Sequence, residues 1–396
     1  MQNYLYCLFT THELSFIRII GFDAKRAFQN TTGLGNYSRM LICGLAQQYQ
    51  NVRSFLYAPV MSGEYKSYFS GFANISTRQP SGIDRHLPNL WRRYGVTVHL
   101  KGDKVDIFHG LSHELPHGIP RSIKKVVTMH DLIVWRYPQY YSLFDRCMHR
   151  IKQRHACRVA DVVIAISEQT KSDLIKYMHV PEAKIKVLYQ SCDNMFWKPV
   201  GEADRAAVRE TYGLPEKYVV CVGSIEERKN QIAAVRALAE LPADVHLVIV
   251  GRPHGTYYSG LMSEVRKKKL SDRVHVITNA DFEDFPAIYS DAVASVYVSQ
   301  FEGFGIPILE SMCCDVPVIT SNVSSMPEAG GDAALYASPD NPHEIAEQLK
   351  RIIDDSQLRE QLIAKGREQR MKFSPERIIT EFYNLYNTLC PQKEEE

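Results

Sequence analysis

Short apolar runs alternate with helical stretches along this 396-residue chain, and the alternation occurs twice. In the first half, Phe16–Phe22, Arg53–Ala58, Val105–His109, Val126–His130 and Val162–Ser167 read as strands. Helical patterns over Asn36–Gln48, Leu143–Val159 and Glu168–Tyr177 are interleaved with them. Apolar runs of this kind, separated by helices, mark a parallel sheet covered on both faces. A polar, proline-containing stretch from Lys198 to Pro215 reads as a linker, and the pattern then restarts. Tyr218–Val222, Val245–Val250, Val274–Thr278, Ala294–Val298 and Val316–Thr320 are the later strands, with a helix over Asn230–Ala239. Two such series predict an α/β chain of two Rossmann-like lobes facing a shared cleft. The length fits, at about 100–200 residues per domain. An amphipathic helix, Ser374–Leu389, comes last, and residues 1–15 fit no strand of the series.

Several function classes drop out early. Apolar residues are 45% and charged residues 23%, which excludes a disordered chain. No run approaches the roughly 18–20 apolar residues of a spanning helix. The first residues carry no Lys or Arg ahead of their apolar run, so a secretory signal is not expected and a cytoplasmic location is. The nine cysteines form no C-x-x-C pair, and Cys313 and Cys314 are adjacent, which predicts reduced thiols. No H-E-x-x-H, G-x-S-x-G, P-loop or D-x-D motif appears, so no metal site is expected. The net charge of +2 hides an asymmetry. Residues 1–200 hold 26 Lys and Arg against 14 Asp and Glu, and the remainder 21 against 31. The basic half is a candidate surface for an anionic partner. Nucleic acid is not expected, because no recognition motif or aromatic stacking platform accompanies the charge.

Four strand ends carry unusual residues. Gly33 and Gly35 open a helix, where glycines let a phosphate approach the free N–H groups, although the third glycine of the dinucleotide fingerprint is replaced by Ser38 and a tight turn is the alternative. His130 and Asp131 follow an apolar strand and are expected to point into the cleft, the alternative being a capping Asp beside a buried, satisfied His. Gly223 and Ser224 end the first strand of the second half, and Arg228 and Lys229 follow where a helix is expected to begin. Cations there oppose the helix dipole, a conflict that a bound diphosphate resolves. Glu302 and Glu310 flank the Gly303-Phe304-Gly305 turn. Glu310 falls among Ile308, Leu309 and Met312, where a carboxylate needs a hydroxyl or cation as partner.

With these residues the chain resembles the family-4 retaining glycosyltransferases of the GT-B fold, from about Arg18 to about Leu389. Gly33-Leu34-Gly35-Asn36-Tyr37, His130-Asp131-Leu132, Arg228-Lys229-Asn230 and the E-x7-E from Glu302 to Glu310 stand in the family's order. Pro327-Glu328 and Gly331-Asp332-Ala333-Ala334 follow. The resemblance implies an acceptor-binding lobe of residues 1–198 plus 374–396, and a nucleotide-sugar-binding lobe of residues 199–373. It implies that Glu310 binds the ribose and that Glu302, with the Phe304 and Gly305 N–H groups, holds the donor sugar. Arg228 and Lys229 would stabilise the departing diphosphate without a metal, Gly33 and Gly35 would close over it, and His130 would stand beside the transferred hexose. Many relatives carry Arg where Ser224 stands, and here Arg228 would substitute. No cofactor is implied beyond the donor, with GDP-mannose favoured over UDP-sugars. The acceptor would be a saccharide or a polyprenyl-linked saccharide. Basic residues from Arg92 to Arg154, with Trp91 in the stretch Leu87–Tyr94, would offer a peripheral contact at the inner face of an anionic membrane. The alternatives are a nucleotide-sugar epimerase on the same fold and a non-catalytic nucleotide-sugar-binding module.

Overall fold

The computed structural model describes residues 18–61 and 63–391; the leading segment and the first two residues of the strand expected from Phe16 lie outside them. Among the described residues thirteen strands form two sheets, in which all the ladders are parallel. The first sheet contains β1 (Arg18–Asp23), β2 (Val52–Tyr57), β3 (Ile75–Arg78), β4 (Ile107–Gly110), β5 (Lys124–Met129), β6 (Val162–Ala165) and β7 (Ile185–Val187), in the order 3-2-1-4-5-6-7. The second contains β8 (Tyr218–Val222), β9 (His246–Val250), β10 (Val274–Ile277), β11 (Ala294–Tyr297), β12 (Val318–Ser321) and β13 (Ala334–Ala337), in the order 10-9-8-11-12-13. Both orders reverse beside the first strand of their series. That places a ligand crevice beyond the carboxyl ends of β1 and β4 in one lobe and of β8 and β11 in the other.

Each apolar run forms its strand because helices cover both faces of the sheet and leave its central residues almost no contact with water. Three strands escape this reading. β3 and β7 lie at the edges of their sheet with half-exposed residues, and β13 is a four-residue edge. Pairing with a formed neighbour, not local composition, makes these segments extended.

The expected linker also differs. Glu202–Tyr212, inside the stretch from Lys198 to Pro215, is a helix that ends at Gly213 with φ +59°. It has no buried residue, so no apolar stripe announces it. Ion pairs from Arg205 and Arg209 to Asp291, at 3.3 and 2.8 Å, hold it on the second lobe, with the Tyr212 hydroxyl donating to Asp284 at 2.7 Å.

The last helix, Pro375–Leu389, returns to the first lobe, where Ile378, Ile379, Phe382 and Tyr386 are buried in its core. The Tyr386 hydroxyl meets His109 Nδ1 at 2.7 Å, and its carbonyl accepts from Arg18 Nη1 at 2.9 Å. A second clasp is electrostatic. The Glu328 carboxylate, from the second lobe, accepts the N–H groups of Glu168 and Gln169 at 2.7 and 2.9 Å. These two residues open the helix Glu168–Met178 of the first lobe, so the acid sits on the positive end of that helix dipole.

Glu328→Ala leaves those two N–H groups without their acceptor across the seam. The expected cost is about 1 kcal/mol, seen by calorimetry as a midpoint lower by about 2–4 °C. An unchanged midpoint would show that the clasp contributes nothing.

Candidate active site

The residues that follow β8 and β11 meet in one charged cluster. Arg228 and Lys229 sit in a 3-10 turn, Glu227–Lys229, and not in the helix that follows, Gln231–Leu238. Asn230 separates the two at φ +58° and ties the turn down, its amide donating to the carbonyls of Val298 and Pro339 at 3.2 and 2.8 Å. The expectation that both cations oppose a helix dipole is therefore corrected. Their charge is met by an acid instead.

That acid is Glu302, whose carboxylate lies 2.7 Å from Arg228 Nη1 and 2.7 Å from Lys229 Nζ. Burial alone would push the Glu302 carboxyl up, but Arg228 and then Lys229 outweigh it and hold the pKa at about 2. Burial likewise pulls on Arg228, and Glu302 and Glu226 together raise it above the ordinary arginine value. Arg228 also donates to the Phe301 carbonyl at 2.9 Å, and Lys229 to the Tyr297 hydroxyl at 2.6 Å. Ser224 is exposed and stands outside this cluster, and Gly223, just after β8, lies against the Lys229 side chain.

The turn from Gly303 to Gly305 follows Glu302 directly. The Phe304 ring is buried against Tyr189 and Phe373, and Gly305 caps the helix Ile306–Cys313. Among the described residues the N–H groups of Gly303, Phe304 and Gly305 have no hydrogen-bond acceptor. Glu310 lies on that helix, buried, and takes the Tyr289 hydroxyl at 3.1 Å. Burial, only partly offset by that hydroxyl, pushes its pKa up to about 7.

The first lobe supplies the opposing wall. His130 is 5% exposed, so its imidazole does not project freely into a cleft as expected. Its Nε2 is 2.9 Å from the Leu111 carbonyl, and its ring stands edge-on to Tyr37 and parallel to His113. The carbonyl can only accept, so Nε2 carries the proton and Nδ1 is left as a lone-pair acceptor. Burial, with His113 beside it, lowers the pKa to about 3, and the ring is neutral. Asp131 caps the next turn by accepting the Ile133 N–H at 3.0 Å.

The two walls touch. A Cβ on Gly303 would stand 1.9 Å from the His130 carbonyl oxygen, so only glycine fits there. Ser167 Oγ, from the first lobe, donates to the Gly303 carbonyl at 2.6 Å. The second glycine pair divides its work. A Cβ on Gly35 would meet the Asn30 carbonyl at 1.9 Å, whereas one on Gly33 would meet nothing within 4 Å. Gly35 is thus required by packing, and Gly33 leaves the start of the helix Gly33–Gln48 open to approach.

Comparison with known proteins matches this arrangement along nearly the whole chain. Residues 31–194 match the model described as Glycosyltransferase Family 4, and residues 204–369 the model described as Glycosyl transferases group 1. The O-antigen chain mannosyltransferase B of Escherichia coli is 29% identical over 374 residues, covering 90% of this chain and 96% of the relative. The O-antigen chain mannosyltransferase RfbU of Salmonella typhimurium is 29% identical over 340 residues, covering 83% and 90%. Among solved structures, HepE of Anabaena in complex with UDP and glucose superposes with a TM-score of 0.73 at 19% identity, covering 94% of this chain and 99% of that one. A glycosyltransferase from Rickettsia africae gives 0.75 at 16%, covering 95% and 99%. The chain belongs to the family-4 glycosyltransferases.

It is a hexosyltransferase of the GT-B fold, and several residues of its site carry no local signal. Ser324 Oγ accepts the Glu302 N–H at 3.2 Å, and Ser325 Oγ donates to the carbonyls of Glu302 and Phe304 at 3.0 and 2.9 Å. These serines shape the turn of the transferase, as Tyr289 and Tyr297 position its charged groups. A serine pair just ahead of Pro327-Glu328 was the one hint available.

The raised Glu310 pKa gives the transferase a pH signature. A carboxyl near 7 when folded, against an ordinary 4.5, stabilises the protein fully below about 4.5 and loses that contribution as pH rises through 7. Glu310→Gln is therefore expected to gain stability relative to the unmodified protein between pH 4.5 and 7, followed by denaturant titration. Parallel curves for the two proteins would place the Glu310 pKa at its ordinary value.

Proposed function

We propose that this transferase moves mannose from GDP-mannose, with retention of configuration and without a metal, to a saccharide or polyprenyl-linked saccharide at the cytoplasmic face of a membrane. The observation that carries the reading is the Arg228–Lys229–Glu302 cluster beneath the Gly303–Gly305 turn, facing the buried His130. Two O-antigen mannosyltransferases at 29% identity support mannose as the sugar. A relative named as an N-acetylgalactosaminyltransferase acting on a diphospho-undecaprenol-linked saccharide supports a lipid-linked acceptor.

The charges favour one route for the proton. Glu302, with a pKa of about 2, has no proton to donate at neutral pH, and two cations at its Oε1 draw off negative charge, which weakens it as a covalent nucleophile. His130, with a pKa of about 3, is neutral and can accept a hydrogen bond from a sugar hydroxyl, but it is not an acid. The acceptor oxygen therefore bonds to the anomeric carbon on the face that the diphosphate leaves. The bond from that carbon to the phosphate oxygen breaks, and the departing phosphate takes the acceptor's proton. Arg228 and Lys229 stabilise the negative charge as it develops on the phosphate. The Gly303, Phe304 and Gly305 N–H groups are available to the donor, and Glu310 accepts from the ribose hydroxyls in its ionised form.

Lys229→Ala is expected to lower kcat by about 10²–10³, as loss of one preorganised charge-stabilising donor does. The assay is mannose transfer from GDP-mannose at saturating donor, with and without EDTA. Near-full turnover in the variant would remove the diphosphate assignment, and loss of activity in EDTA would remove metal independence. In thermal-shift comparison, GDP-mannose at 100 times its Kd should stabilise the protein by about 2.7 kcal/mol. Stabilisation by a UDP-sugar alone would overturn the donor.

A further inference from the structure

In the stretch expected to meet a membrane, the residues left exposed are not those the sequence suggests. Trp91 is 2% exposed and packs in the first lobe's core, and Arg92 is committed to Asp23 and Glu114. What this region leaves uncovered is apolar. Leu90, Tyr94 and Val98 are 51%, 46% and 77% exposed, spaced four apart along the continuous helical turns from Pro88 to Gly102.

The helix Leu143–Val159 carries a matching stripe. Phe144 and Ile151 are 74% and 49% exposed, and Cys147, also exposed, stands between them. The two stripes converge. His155, one turn beyond Ile151, stacks on His117 at 3.7 Å, and His117 stacks on Tyr94 at 5.0 Å. The result is one face built from two helices and joined by a column of three rings.

The charge around this face is of one sign. The two helical segments hold eight Lys and Arg residues against a single acid, Asp145. Arg92 and Lys152 turn inward to Glu114, while Lys101, Arg154 and Arg158 remain exposed. A second copy of the chain would bring the same excess of positive charge, so self-association through this face is disfavoured. Exposed apolar stripes bordered by cations are the chemistry of a helix lying in a lipid headgroup layer.

We propose that this face docks the enzyme on an anionic lipid bilayer. Leu90, Val98, Phe144 and Ile151 enter the headgroup–acyl boundary, and Lys101 and Arg158 meet lipid phosphates. The proposal deepens the reading that the acceptor is lipid-linked, and rests on it for its purpose. The geometry connects the two. The inward side of the helix Leu143–Val159 carries Gln153, whose amide meets His113 Nδ1 at 2.9 Å, and His113 stacks on His130. One helix therefore has the docking stripe on its outer side and borders the wall of the site on its inner side, which brings a headgroup-bound saccharide toward His130.

Flotation with phosphatidylcholine vesicles, with and without equimolar phosphatidylglycerol, tests the proposal. The full chain is expected to float with the anionic vesicles and not with the neutral ones. The double variant Val98→Ser/Phe144→Ser should lower the floated fraction at least tenfold, with an unchanged thermal midpoint because both side chains are exposed. Lys101→Ala and Arg158→Ala should each weaken flotation about fivefold, and added salt should weaken it further. Failure of the unmodified chain to float would overturn the proposal, as would a double variant that floats like it. So would sedimentation showing that the face is covered in a dimer that Phe144→Ser dissolves. Transfer of mannose is measured separately with the same proteins. A chain that floats but transfers nothing overturns the activity reading and leaves the docking face standing.

Discussion

A buried carboxylate between two half-buried cations organises this molecule. Burying the Glu302 carboxylate is tolerable only because Arg228 and Lys229 meet its charge, and removing them would strand it. Their mutual attraction ties the turn after β8 to the loop after β11. With Glu302 held, the next residues have little freedom, and Ser324 and Ser325 remove what is left by bonding the backbone of the turn. Gly303 is thereby presented to His130 at a distance no side chain would allow.

The parallel sheets explain why these groups can meet at all. Every strand of a lobe delivers its carboxyl end to the same edge, so loops far apart in the chain converge. Two lobes built this way set two such edges against each other, clasped by Glu328 on one side and by the returning helix Pro375–Leu389 on the other. Burial pushes both acids up, and their different partners then set them apart. Glu302 stays charged because its cations outweigh desolvation, whereas Glu310, with only the Tyr289 hydroxyl, sits near neutrality.

Much of this was legible in the chain itself. Central strands such as Tyr218–Val222 are apolar throughout, so their burial on both faces could be read directly. The helix Leu143–Val159 was legible to the residue, as a basic helical stretch between two apolar strands. Edge strands such as Ile185–Val187 were not, since three residues carry no pattern and only a neighbour makes them extended. The helix Glu202–Tyr212 stayed hidden for a different reason. It buries nothing, and its hold on Asp291 is a contact with a residue some 80 positions away.

Composition and order along the chain determined the fold class, the two series of strands and the residue types at their ends. Those follow from local rules, namely which segments must be removed from water and where glycine or a charge is tolerated. Which groups pair was settled only by tertiary structure. Arg228 and Lys229 proved to face Glu302 and not a helix terminus, His130 to be covered, and Trp91 to be core while Val98 and Phe144 face solvent. Charge pairing and burial depend on what arrives from distant parts of the chain, and a sequence read in order does not contain that distance.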